Sequence, residues 1–230
     1  MKHAKSLCLA TVTLIAAIGT PSAQAITPLS LEVGKPPGQI IVSTDSLPNM
    51  EIRADMRETS RGTWGMVPVK EMPRPSAGAS VVRSAIYTFP DGSDITHTVQ
   101  ATIDGQTISV NAAWPTSINA AGFSRADLWI PQELAEDIKV TMGDKKLYPL
   151  DASEKPQYAK NAGKLVFTRT STGQILFDIT GDFVNVIPNF YKDKPDKGVT
   201  FQIGNIDNAV LTTASISSAT SLNWQLRFAK

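Results

Sequence analysis

Thiol and imidazole chemistry have little to work with in this chain, which holds one cysteine, Cys8, and two histidines, His3 and His97. Long hydrophobic runs are equally scarce. The main one lies at the amino terminus, where Lys2 and Lys5 precede a largely apolar stretch over residues 7–18 and Ala23-Gln24-Ala25 follows it. Positive, then apolar, then small residues is the order of a secretory signal peptide, with cleavage predicted after Ala25. The apolar stretch is shorter than the ~20 residues that cross a bilayer, so removal is expected rather than anchoring. Cys8 sits inside that stretch behind Lys5-Ser6-Leu7, without the small residues that precede a lipidated cysteine, and is expected to leave with it.

The expected mature chain, residues 26–230, therefore has no cysteine and a single histidine, His97. This excludes disulfides, thiolate nucleophiles and cysteine-bound zinc from it. A Ser-His-Asp triad would have to use His97. An excess of one charge is also missing: loss of Lys2 and Lys5 from 22 basic residues leaves 20 against 21 acidic ones, a balance of −1. Near neutrality gives no support to a nucleic-acid partner. No second apolar run approaches spanning length, so no membrane span is expected after cleavage. Phosphate loops, dinucleotide fingerprints and zinc-protease helices are absent, and neither a cofactor nor a metal is implied.

What the chain does have is hydrophobic alternation of period two, the pattern of strands with one buried face. Leu222, Trp224, Leu226 and Phe228 alternate with Asn223, Gln225 and Arg227, giving one apolar and one polar face near the carboxyl terminus. Asp104-Gly105 separates two alternating runs, residues 94–103 and 106–114, and suits the tight turn of a hairpin. Gly143-Asp144 would turn the run 138–142 into 146–150. Further strands are predicted over residues 80–89, 126–130, 164–169, 174–179, 183–187 and 199–203. Only residues 131–137 read as helical, with Pro131 at a first helical position and acidic residues early. The proline-bearing stretches 34–38 and 66–79 read as loops or edge connections, because proline cannot donate to a sheet ladder. Many short strands with turns between them predict an all-β, single-domain, mainly antiparallel β-sandwich over residues 26–230, with one short helical turn.

Candidate functional residues follow from residue type and strand parity. His97 falls in step with Ile95, Val99, Ala101 and Ile103, which favours a core or rim histidine over a catalytic one. Arg53, Asp55 and Arg57 share one face of a strand, where a carboxylate between guanidiniums forms an ion network and would also suit an anionic or hydroxyl-rich ligand. Of the four tryptophans, Trp64 and Trp114 lie beside a glycine and a proline and are the candidates for exposure and sugar stacking, while Trp129 and Trp224 fit buried positions. Asp91 and Asp94 lack the ligand count of a calcium loop and read as turn residues. Carboxylates such as Asp55, Glu58, Asp127, Glu133 and Asp178 permit a glycoside hydrolase, but no spacing selects a pair.

The expectation drawn from these features is a secreted or periplasmic, noncatalytic binding protein with carbohydrate as its leading ligand class. Two alternatives stand beside it: a structural or assembly component that binds an envelope protein through sheet edges, and a polysaccharide-active hydrolase or lyase using paired carboxylates.

Overall fold

The computed structural model describes residues 28–34, 39–58, 65–66, 69–72, 79–88, 94–113, 122–149, 159–160, 163–181, 185–190, 198–204 and 221–229. The predicted signal peptide, residues 1–25, lies outside the described residues. The chain runs through β1 (Pro28–Val33), β2 (Gln39–Thr44), β3 (Met50–Glu58), β4 (Gly65–Met66), β5 (Val69–Met72) and β6 (Ser80–Thr88). It continues with β7 (Asp94–Asp104), β8 (Thr107–Ala113), β9 (Gly122–Ile130), α1 (Gln132–Ala135), β10 (Ile138–Met142) and β11 (Lys145–Tyr148). Then come β12 (Ala159–Lys160), β13 (Lys164–Arg169), β14 (Ile175–Gly181), β15 (Asn185–Phe190), β16 (Val199–Gly204) and β17 (Ser221–Phe228).

These strands form two antiparallel sheets packed face to face, the predicted all-β sandwich. The first sheet has the order β1-β2-β3-β9-β16-β15-β12, with β4 paired to β3. The second has the order β11-β10-β13-β14-β17-β8-β7-β6-β5. Side chains of alternating parity meet between them: Ile40, Val42, Ile52, Leu128 and Ile130 from the first sheet face Val99, Ala101, Ile108, Leu226 and Phe228 from the second, all buried. Phe201 of β16 reaches across the interior, its ring 5.0 Å from that of Phe167 on β13 and edge-on to it. Phe167 in turn stacks on Phe177 of β14 at 4.4 Å. Burial of this apolar surface, at about 25 cal/mol per Å², is what holds the two layers together in a chain without disulfides.

Most predicted elements appear within a residue or two of their bounds. β17 shows the strict exposed-buried alternation over Ser221–Phe228. The β7–β8 turn sits on Gly105 and Gln106, one residue later than read, because Asp104 pairs with Thr107; Gly105 takes the positive φ, 57°. Pro131 stands just before the helix, as its N-cap at φ −66°, and its carbonyl accepts the N–H groups of Leu134 and Ala135. Residues 66–79 contain an edge strand, β5, beyond the connection read there. β9 begins earlier than predicted, and β15 lies later. β1 and β2 are not among the predicted strands, although Leu31, Ile40 and Val42 show the buried alternation; the Pro36-Pro37 break draws the reading away from it.

Candidate functional site

The outward faces of the two sheets differ in chemistry, and each presents a candidate site. On the second sheet, strand register lines up polar residues in rows that cross the strands. One row runs from Val82 on β6 through Gln100 on β7 and Asn111 on β8 to Asn223 on β17, polar at all but its first member. The next, two residues further along, runs Ser80, Thr102, Ser109, Gln225, Thr180 and Lys164, one residue from each of β6, β7, β8, β17, β14 and β13. Side chains within a row are roughly 4.8 Å apart and rows are about 7 Å apart, the spacings of any antiparallel sheet.

Hydrogen bonds along and between the rows fix the side-chain orientations. Asn111 Nδ2 donates to Asn223 Oδ1. Gln225 Nε2 donates to Ser109 Oγ at 3.4 Å, and Gln100 Nε2 donates to Ser80 Oγ at 3.4 Å. Ser80 Oγ lies 3.2 Å from Thr102 Oγ1. The two rows bound an open groove of 480 Å³, lined by Gln100, Thr102, Ser109, Asn111, Thr180, Gly181, Asn223 and Gln225 and by backbone of Val110 and Trp224, whose side chains turn into the core. Among the described residues, no carboxylate and no cation lines it. Gly181 forms the floor at the β14 end. A Cβ there would stand 2.3 Å from the carbonyl oxygen of Asn223 and 2.6 Å from Cα of Trp224, so the close approach of β14 to β17 requires glycine.

Charge begins at the β13 end of the longer row, with Lys164, and in the row beyond it. Asp178 on β14 faces Arg227 on β17, and its Oδ2 accepts Arg227 Nη2 at 2.8 Å and Nε at 3.3 Å. Lys164 Nζ approaches the same oxygen at 3.2 Å. Both cations at this end of the sheet are therefore committed to one carboxylate, itself 8% exposed.

The first sheet presents an indole and charges instead. Trp129 on β9 faces outward beside Glu51 of β3. The Arg53 guanidinium lies over the Trp129 ring, 4.5 Å from its centroid, while Arg53 Nε donates to Glu51 Oε2 at 2.8 Å. Such stacking contributes about 0.5–1 kcal/mol at a half-exposed site. Gly198, just before β16, completes the support: a Cβ there would lie 2.5 Å from Trp129 Nε1 and 2.4 Å from the Ile130 carbonyl oxygen. Asp127 is nearly covered on this face, at 3% exposed, and its Oδ1 accepts the N–H of Ile203 at 3.1 Å.

The residues singled out in the sequence separate accordingly. Arg53 lies on the first sheet, with Glu51 as its carboxylate partner among the described residues. Asp55 and Arg57 continue β3 at alternate positions, as predicted, opposite Arg125 and Phe123; their side chains lie outside the described residues. Trp64 and Trp114 also lie outside them, as does Asp91. Trp224 is buried as expected, at 1% exposed. Trp129 is only half-buried, because it alternates with the inward-facing Leu128 and Ile130 and so falls on the outer face under Arg53. His97 is in the interior, 1% exposed, with its ring edge-on to Tyr87 at 6.0 Å. Asp127 and Asp178, two of the acidic candidates, sit on opposite outer faces and do not form a pair.

Residues of the groove, apart from Asn223 and Gln225, escape the sequence reading. Their signal is present but distributed: the polar positions in the middle of β7, β8 and β17, between Asp94 and Asp104 and before Arg227, are amides and hydroxyls, where an ordinary exposed sheet face carries lysine and glutamate. Seeing it requires the register. Apart from both faces, Asp137 ties the end of α1 to the β13–β14 turn. Its carboxylate accepts Thr170 Oγ1 at 2.6 Å, Ser171 Oγ at 2.7 Å and the Ser171 N–H at 2.9 Å. The Thr170 hydroxyl first, then the Ser171 donors, hold its pKa below the ordinary 3.8. Burial, with help from the Glu136 charge, pushes the Tyr148 hydroxyl up. Comparison with known protein families, with curated proteins and with solved structures yields no match.

Proposed function

We propose that this is a secreted or periplasmic, noncatalytic carbohydrate-binding protein, and that its ligand lies in the groove on the second sheet. The observation that carries the reading is the groove's lining: neutral amides and hydroxyls from the middle of two registered rows, with no carboxylate or cation among the described residues that line it. Sugar hydroxyls are donors and acceptors at once, and Asn, Gln, Ser and Thr offer both roles without a net charge to be compensated. Amides already held by their neighbours lose little freedom when a ligand arrives. A hydrolytic role draws no support from this groove, since glycoside cleavage needs two carboxylates flanking the bond.

The envelope-assembly reading, with a protein partner on a sheet edge or apolar patch, draws less from the described residues. Their one exposed large hydrophobic side chain is Ile175, at 50% exposed, and the edge strand β11 is four residues long and begins with Lys145-Lys146. Charged, short edges oppose strand addition. Export through the amino-terminal signal belongs to the proposal too, and amino-terminal sequencing of exported protein should begin at Ile26.

The direct test is thermal denaturation of the purified protein against a broad panel of soluble glycans. A ligand that binds only the folded state raises the melting temperature with dose, by about 2.7 kcal/mol of stability at a hundredfold excess over Kd. A dose-dependent rise supports the reading, and no rise across the panel contradicts it.

A further inference from the structure

Resting on that reading, we infer that the groove takes an extended, uncharged polysaccharide laid across the strands, engaging about one sugar unit per strand crossed. Direction comes first. The longer row runs perpendicular to the strands, from Ser80 through Gln225 to Lys164, and spans roughly 24 Å over its six strands. Its central four members, Thr102, Ser109, Gln225 and Thr180, are the ones that line the groove. Hydroxyl, hydroxyl, amide and hydroxyl thus recur at the strand spacing, which is close to the repeat of pyranose units in an extended linear glycan. A chain lying along the strands would meet the coarser row-to-row spacing and would leave the groove after two contacts.

Size points the same way. At 480 Å³ the groove falls in the range of about 300–1,000 Å³ that accommodates drug-sized molecules, which is a short oligosaccharide and not one sugar. Charge sets the class. A uronic acid or sulfated sugar needs a free cation, and the cations bordering the groove, Lys164 and Arg227, are both held by Asp178 Oδ2. Pairing the second row, Gln100, Asn111 and Asn223, beside the first gives the chain a second set of amides for the hydroxyls on its other edge.

Titration calorimetry of the purified protein with ladders of neutral linear oligosaccharides, one to six units of gluco-, manno-, xylo- and N-acetylglucosamine type, tests this. Each engaged unit adds about one net hydrogen bond, so affinity is expected to tighten at least about tenfold from disaccharide to tetrasaccharide and then level off. The Asn111→Ala/Asn223→Ala variant, with its melting temperature checked, should lower the plateau affinity about tenfold, and Arg53→Ala on the opposite face should leave it unchanged. A disaccharide that binds as tightly as the tetrasaccharide overturns the extended-chain inference while leaving sugar binding intact. So does preferential binding of carboxylated or sulfated glycans with strong salt dependence. Absence of binding to every ladder, with no rise in the glycan melting panel, overturns both this inference and the function it rests on. Saturable binding of an extended peptide in the groove instead would also overturn it.

Discussion

The two outer faces of the sandwich are built on the same pleat and covered in opposite ways. On the first sheet, Trp129 is clamped between Arg53 above and the Gly198 backbone at its edge, and Glu51 completes an ion pair with the arginine. The indole and both charges are spent on one another, which makes this trio of side chains a self-satisfied structural patch. On the second sheet the polar side chains form weaker, neutral cross-strand contacts, leaving a groove whose lining has hydrogen-bonding capacity and no charge. Exposure of polar residues is ordinary for a sandwich. A registered groove of amides and hydroxyls, with Lys164 only at the far end of its longer row, is the feature on which the proposed ligand face rests.

Perturbations of these faces rank by how much they disturb. Phe201→Ala removes the side chain that bridges the layers and should cost about 3–5 kcal/mol in chemical denaturation, taking both faces with it. The paired glycines sharpen the contrast. Gly181→Ala and Gly198→Ala each force a Cβ into backbone or ring atoms closer than 3 Å and should cost about 1–3 kcal/mol apiece. Only Gly181→Ala is expected to abolish glycan-induced stabilisation; loss of it in Gly198→Ala would dissolve the distinction between the faces. Asn111→Ala/Asn223→Ala should change stability by no more than about 0.5–1 kcal/mol and weaken ligand affinity about tenfold, whereas Arg53→Ala should show a similarly small stability change and leave affinity unchanged.

The smallest effect lies outside both faces. Because hydrogen bonds hold the Asp137 pKa below 3.8 in the folded state, the unfolded chain binds more protons, and this group's contribution is present above that pH and lost as pH falls through the folded value. Wild type and Asp137→Asn should therefore differ in melting temperature at neutral pH and converge at strongly acidic pH. A gap that stays constant down the titration would contradict that role. Ligand affinity should not follow this titration, since the groove holds no carboxylate.

Legibility in the sequence followed the range of the interactions. The sandwich was readable because burial on one face imposes period two on each strand separately, as in Leu222, Trp224, Leu226 and Phe228. Turns at Gly105 and Gly143 were readable for an equally local reason. The groove was not, because it is assembled from strands distant in the chain: Asn111 meets Asn223 across 112 positions. Nothing near Gln100 or Thr180 announces that they will share a surface. Charge and tryptophan, the residue types that carry chemistry most often, stand out in a sequence, yet Arg53 and Trp129 satisfy one another. Trp129 lies outside the core, against the sequence expectation, because its parity, set by Leu128 and Ile130, outweighs the preference of a large ring for the interior.

The assignment of the second sheet as the ligand face is tested most directly by following side-chain N–H signals in nuclear magnetic resonance spectra while a neutral oligosaccharide is titrated in. The account predicts that the amide signals of Gln100, Asn111, Asn223 and Gln225 move together and saturably, while the Trp129 indole and Arg53 Nε signals stay in place. Movement of the Trp129 and Arg53 signals with the groove amides unmoved would contradict it and transfer the site to the first sheet.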